Sequence, residues 1–338
     1  MNIPHKRIEY IDAMRGFTMI LVVLSHVSVW GLGAEGYNTI FSMFRMPLFF
    51  FVSGYVFYKQ DAVWNVDYTV QFLRKKVTVQ LISPFLFFVV YCIVQRLDIL
   101  QGLTSASKYG YWFTFALLEF FLIYIFFQTL FRGCRIQGKL QDILYIIAGL
   151  SMYVIMHHKV IGNSVVVETL GMVQWRYFLF FILGTLCRKY FTSFEYLLDH
   201  TPLFVISIIC FVGFNVFPVL EHISPYINRL VLAVCGILIV FSLFRHYQEN
   251  FSKEHFAGKC LQFIGRRTLD IYLIHFFFVY DGLSSVSQTF NFADAPFLSF
   301  VVSIAITLCV IIASIGVSQV LRVSQGISHL LFGIKIKK

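Results

Sequence analysis

Ten apolar stretches alternate with short polar segments along the chain, near residues 16–33, 38–58, 77–95, 111–131, 140–156, 172–190, 203–220, 226–244, 261–280 and 297–321. Each approaches the roughly 20 residues that cross about 30 Å of hydrocarbon at about 1.5 Å per residue. The pattern predicts an all-α, polytopic membrane protein with about ten transmembrane helices in one bundle. The third stretch, with Gln80 and Pro84, and the seventh, with Asn215 and Pro218, have the least regular apolar runs. The longest interruptions, near 59–76, 96–110, 157–171 and 245–260, are too short for an independent core. Residues 1–338 therefore read as a single integral-membrane domain without a soluble part. No internal repeat, low-complexity tract, Walker motif or G-x-G-x-x-G is visible, which argues against an ATP-driven pump.

Composition agrees with that pattern. Apolar residues make up 58% of the chain and charged ones 13%, with 40 Phe and a mean hydropathy of +0.76. The many phenylalanines read as lipid-facing bulk. The charge sharpens the topology: with ten spans and an inner N-terminus, 21 of the 27 Lys and Arg residues fall on the cytoplasmic side. Both termini are then cytoplasmic, and the first span remains as a signal anchor. The net charge of +10 is spread over several inner segments rather than one face, so lipid headgroups, and not nucleic acid, are its expected partners. The seven cysteines form no C-x-x-C pair and read as small apolar residues in spans, without a disulfide framework or a metal site.

Against this apolar background a few ionisable side chains stand out. Each costs about 2.5–3.5 kcal/mol inside hydrocarbon even on lenient insertion scales, so by default they mark a site. Arg15 and His26 are 11 residues apart, about three helical turns, and share a face with a rise of roughly 16 Å. The chain is expected to reverse around Gly33–Gly36, with Glu35 exposed, and to return Arg45 to about the depth of His26. Pro47 should kink the second helix just after Arg45 and open a polar cavity there. His275 follows Asp270 and Tyr272 into the ninth stretch, while Trp112 and Glu119 stand about two turns apart on the fourth.

These residues carry a resemblance. Asp12, Arg15, the ten residues leading to His26, and the run Arg45-Met46-Pro47-Leu48-Phe49-Phe50-Phe51-Val52-Ser53-Gly54 resemble the signature of membrane acyltransferase family 3. Trp112-Phe113, Phe180-Phe181 with Gly184, Ile264-Gly265-Arg266-Arg267-Thr268-Leu269, Ile271-Tyr272-Leu273 and His275 follow in order. The resemblance covers essentially the whole chain. It implies transfer of an acyl group, usually acetyl, from cytoplasmic acyl-CoA to a hydroxyl of an extracytoplasmic glycan, lipid-linked or polymeric. It also implies a bacterial inner-membrane location, no permanently bound cofactor, and work alongside envelope polysaccharide synthesis machinery. Arg15 and His26 correspond to the family's residues most associated with activity.

Acyl transfer to a hydroxyl needs a base for the proton and a positive or hydrogen-bonding group for the oxyanion. His26 suits the first role and Arg45 the second, while Arg15 at the inner mouth suits donor phosphates or a pair with Asp12. Asp12, Ser53, Trp112, Glu119, Tyr272 and His275 are candidate substrate contacts. Plainer readings exist for most of them: an inner-side anchor for Arg15, helix packing for His26 and His275, close helix approach for Ser53-Gly54, and an interfacial belt for Trp112. The family's R-x-x-R at the start of the third span is replaced by Arg74-Lys75-Lys76, with Gln80 where a second basic group is expected. Arg74, Lys75 and Lys76 are nonetheless the candidates for donor phosphates. A transporter or flippase for a polyprenyl-linked glycan would account for the spans and midplane polar groups equally well.

Overall fold

The computed structural model describes residues 8–33, 38–60, 62, 64–158, 162, 164–217, 219–279, 283, 285–286 and 295–332. The expected reversal at Gly33–Gly36 lies outside the described residues beyond Gly33, as do Pro218 and the basic residues Lys6, Arg7, Lys159, Lys335, Lys337 and Lys338. Among the described residues every regular element is helical. The protein is an all-α, polytopic membrane protein.

Among the described residues seven helices are long and apolar enough to cross a membrane, or up to eight if a bent pair is one span. The count of about ten is met in eight of the ten stretches. The sixth resolves into a 3₁₀ segment, Met172–Tyr177, and a 12-residue helix, Phe178–Lys189. The ninth divides between Phe256–Arg266 and the short Thr268–Ile274 with its 3₁₀ extension His275–Phe277. Apolar character continues across these breaks, so hydropathy alone reads each as one span.

By its contacts the chain divides into two compact units, the described residues of Met1–Val52 with Tyr190–Ser318 and those of Ser53–Lys189 with Gln319–Lys338. The first unit is built on α1 (Glu9–His26), which runs on through a π-helical turn, Val27–Gly31. Its most extensive partner is α14 (Phe256–Arg266). The two meet backbone to backbone: a Cβ placed on Gly16 would strike the Leu261 carbonyl oxygen, and one on Gly265 would strike that of Asp12. In a membrane, where lipid is as apolar as leucine, such small-residue contact is what holds helices together. The helix α15 (Thr268–Ile274) follows directly.

The same unit holds most of α2 (Asn38–Phe57), α10 (Phe191–Leu198), α11 (Thr201–Val216), the short α12 (Val219–Ile223), α13 (Pro225–His246) and α16 (Pro296–Leu321). The helices α10 and α11 form the pair bent by 71°. In α2 the helix continues through Pro47, which is buried, so the backbone stays helical across the proline. Only one backbone donor is lost, and flanking contacts such as Phe44 against Gly236 hold the segment.

The second unit contains α3 (Val66–Val77), which passes through a π-helical turn at Thr78–Ile82 into α4 (Ser83–Gln95). Two short helices, α5 (Ile99–Thr104) and α8 (Val165–Thr169), accompany the longer α6 (Trp112–Gly133), α7 (Lys139–His157) and α9 (Phe178–Lys189). Gly54, next to Ser53, lies against the Phe181 carbonyl, and Gly149 against Leu179, so the small-residue reading of Ser53-Gly54 holds for its glycine.

The phenylalanines are not simply lipid-facing. Phe50, Phe88, Phe120, Phe178, Phe180, Phe181, Phe241 and Phe276 are fully buried. Phe57 meets Phe121 and Tyr124 at 5.0 Å and Phe181 at 5.3 Å. Such ring pairs contribute about 0.5–1.5 kcal/mol each beyond area burial, a gain that remains available where lipid removes the hydrophobic term. Cys134 is also displaced from expectation, sitting in the turn after α6 rather than in a span.

Candidate functional site

The first unit gathers Asp12, Arg15, His26, Arg45, Tyr272 and His275. Arg15 forms an ion pair with Asp12 one turn earlier, 3.7 Å apart, and donates to Thr268 Oγ1 at 3.1 Å. His26 Nδ1 lies 2.8 Å from His275 Nε2. The polar stripe of α1 thus meets Thr268 and His275 in the same order, so α15 with its extension runs parallel to α1. The rise from Thr268 to His275 is only about 10 Å against roughly 16 Å from Arg15 to His26; the long arginine side chain makes up the difference.

The tautomers follow from the partners of His275. Its Nδ1 is 2.9 Å from the carbonyl oxygens of both Ile271 and Tyr272, and carbonyls only accept. Nδ1 of His275 therefore carries a proton. In the neutral pair its Nε2 accepts, His26 Nδ1–H donates, and the free lone pair is on His26 Nε2. Among the described residues that atom has no hydrogen-bond partner.

The two imidazoles are within 6° of coplanar with centroids 5.0 Å apart, the separation of one hydrogen bond plus two ring radii, so they meet edge to edge. Trp30, one turn after His26, covers a face of its ring at 4.5 Å and 9°. His275 is fully buried, whereas His26 is half-buried.

Arg45, on α2 of the same unit, contributes electrostatically at His26. It donates to Asn38 Oδ1 at 3.2 Å, two turns back on α2. Asn38 Nδ2 is buried with no partner among the described residues. The corner thus combines a histidine acceptor, a cation and an unused amide donor. Tyr272 contributes its carbonyl to His275, with its ring 6.2 Å away. Nearby, buried Asp270 accepts from Ser318 at 2.6 Å, tying α15 to α16.

The remaining candidates belong to the second unit. Glu119 is half-buried and accepts from Trp175 Nε1 at 2.9 Å. Trp112 stacks on Tyr177, 5.9 Å away at 22°. Lys108 donates to the Leu103, Ser105 and Thr169 carbonyls, fastening α5 to α8. Burial holds its ammonium below the ordinary lysine range, with Glu119 pulling the other way. Trp175→Phe should lower the stability of this unit by about 1–3 kcal/mol by leaving Glu119 unpaired; a wild-type midpoint of thermal unfolding in detergent would contradict it.

On α3, Arg74 and Lys75 are exposed, whereas Lys76 lies over the Phe121 ring at 4.6 Å and the Phe72 ring at 5.5 Å. Gln80 is buried, its Oε1 without a partner among the described residues, and an acceptor oxygen does not favour a phosphate. No group of three or more His, Cys, Asp or Glu side chains able to hold a metal ion occurs among the described residues.

Sequence reasoning missed Trp30, Asn38, Thr268 and Trp175. Trp30 was within reach as the i+4 neighbour of His26. Asn38 was within reach too, two turns before Arg45 on α2, whereas Thr268 and Trp175 are joined to Arg15 and Glu119 only through the fold.

No curated protein and no solved structure matches the chain significantly. A family model, that of the acyltransferase family 3 domain, described as an acyltransferase domain, matches residues 8–321. That match spans nearly the entire chain, and the protein accordingly belongs to this family of membrane acyltransferases.

Proposed function

We propose that the protein is an O-acyltransferase of a bacterial inner membrane, with both termini cytoplasmic, that moves an acyl group from cytoplasmic acyl-CoA to a hydroxyl of an extracytoplasmic glycan. Acetyl is the group the family resemblance favours. The observation that carries the reading is the hydrogen-bond chain from the Ile271 and Tyr272 carbonyls through His275 to His26, which leaves an acceptor nitrogen on His26 in the same unit as Arg45.

In this mechanism His26 Nε2 takes the proton of the acceptor hydroxyl as its oxygen attacks the thioester carbonyl carbon. His275 holds the reacting tautomer and shares the positive charge that develops on His26. Arg45 and the Asn38 amide stabilise the oxyanion of the tetrahedral intermediate. Collapse breaks the carbon–sulfur bond, and the imidazolium returns its proton to the departing coenzyme A thiolate. Arg15, paired with Asp12 and held by Thr268, stands about three turns away on the donor side. Its distance suits coenzyme A phosphates better than the reacting carbonyl.

Two measurements test this. Purified protein in lipid nanodiscs should release free thiol from acetyl-CoA only when an envelope glycan is supplied. Mass spectra of envelope glycans from a deletion strain should lack one acyl increment. Movement of unmodified glycan across the membrane without consumption of acyl-CoA would instead identify a transporter.

A further inference from the structure

A cavity of about 200 Å³ opens in the second unit, lined by residues that have no part in the mechanism above. Its walls include Trp64, Tyr124 and Tyr145. Tyr124 and Tyr145 stack at 5.0 Å and 8°, and Trp64 stands at 61° to Tyr124, 6.2 Å away. Aromatic side chains of this kind are the platforms on which planar bases stack.

The polar wall is equally specific. Gln128 Oε1 accepts from Gln141 Nε2 at 2.6 Å and from Tyr145 Oη at 3.1 Å. The Tyr145 hydroxyl carries a single proton, which it also directs at the Tyr124 carbonyl at 3.2 Å. The Gln128 amide nitrogen and the Gln141 amide oxygen have no hydrogen-bond partner among the described residues. Together they present one donor and one acceptor, the set with which an amide reads the edge of adenine.

Charge is arranged at the rim. Lys189 is 2.6 Å from Asp142, so this pair adds no net charge to the wall and the carboxylate disfavours a bare anion. Lys59 lines the cavity as a cation. Trp64 also meets Phe72 at 5.3 Å, and Lys76 sits over that same ring, so α3 with its exposed Arg74 and Lys75 adjoins the aromatic wall.

We infer that this cavity is a nucleoside pocket for the adenine end of the acyl donor, with the base against Trp64 and Tyr124, its edge on Gln128 and Gln141, and its phosphates toward Lys59 and the basic turn of α3. The inference rests on the donor being an acyl-CoA, as proposed above. It also gives Arg74-Lys75-Lys76 a use without an R-x-x-R spacing.

The test is calorimetric titration of the full chain in nanodiscs with adenosine diphosphate, guanosine diphosphate and inorganic phosphate. Adenosine diphosphate should bind, the guanosine analogue should bind about 10-fold more weakly, and phosphate should give no saturable heat. Trp64→Ala should weaken adenosine diphosphate about 10- to 100-fold, the value of one base stacked on an aromatic ring. Gln141→Leu, at the edge of the cavity, should erase the preference for adenine while keeping the wild-type unfolding midpoint. If the wild type consumes acyl-CoA but both variants keep its donor KM and their nucleotide affinities, the pocket is overturned and the transferase stands. A wild type that neither binds adenine nucleotides nor consumes acyl-CoA overturns both.

Discussion

His26→Ala should reduce acyl transfer by about 10²- to 10⁴-fold, the usual share of a general base, while the protein keeps its fold and its donor KM. Truncation removes the only imidazole in the corner with an unoccupied acceptor nitrogen, because both nitrogens of His275 are engaged with His26 and two carbonyls. His275→Gln is the sharper control. The glutamine can still accept from His26 Nδ1 but cannot share the developing charge as an imidazole does, so a loss on the order of 10²-fold is expected, smaller than a wholly mis-set tautomer costs a serine protease. Initial rates of thiol release from acetyl-CoA measure both. If His26→Ala turned over like the wild type, the base assignment would be wrong even though family membership would stand. If His275→Gln lost stability but not rate, His275 would be a packing residue only.

How far the sequence reaches differs between fold and site. The spans that stand in the structure as single long helices, such as Trp112–Gly133 and Pro225–His246, were legible because an unbroken apolar run of that length has few alternatives. The sixth and ninth were not, since hydropathy does not register a change from 3₁₀ to α geometry or a helix that stops after two turns. Irregular backbone also lies where no single residue announced it, at Val27–Gly31, Thr78–Ile82 and the bend between α10 and α11.

Arg15, His26, Arg45 and His275 were legible as a group because a charge in hydrocarbon is costly wherever it sits. Their partners were less so. Thr268 and Asn38 are small polar residues of the kind that occur throughout membrane helices, and only the packing of α15 on α1 and the two-turn spacing along α2 select them. The cavity between Trp64 and Gln141 left no linear trace either, its walls coming from segments up to about 130 residues apart in the chain.

Gly16→Ala and Gly265→Ala should each destabilise the protein, and the sign is the decisive feature. Placed in an open stretch of helix, such a change stabilises by about 0.8–1 kcal/mol, because alanine has the higher helix propensity. Here the added methyl meets backbone: the Leu261 carbonyl in one case, the Asp12 carbonyl and the Gly16 nitrogen in the other. Backbone cannot rotate aside as a side chain can, so α1 and α14 must separate, at an overpacking cost of about 1–3 kcal/mol that exceeds the propensity gain. The separation also reaches the site. Thr268 follows Arg266 by two residues, and Asp12 and Arg15 flank the crossing, so moving α14 away from α1 strains the Arg15–Thr268 bond first and the His26–His275 bond through α15. Activity should therefore fall along with the unfolding midpoint in both variants. Gly213→Ala, where nothing lies within 4 Å of the added carbon, serves as the matched control and should leave both unchanged or raise the midpoint slightly. A higher midpoint for Gly16→Ala or Gly265→Ala than for wild type would mean that the two helices do not touch at these glycines, and the route by which the crossing positions His26 would have to be abandoned.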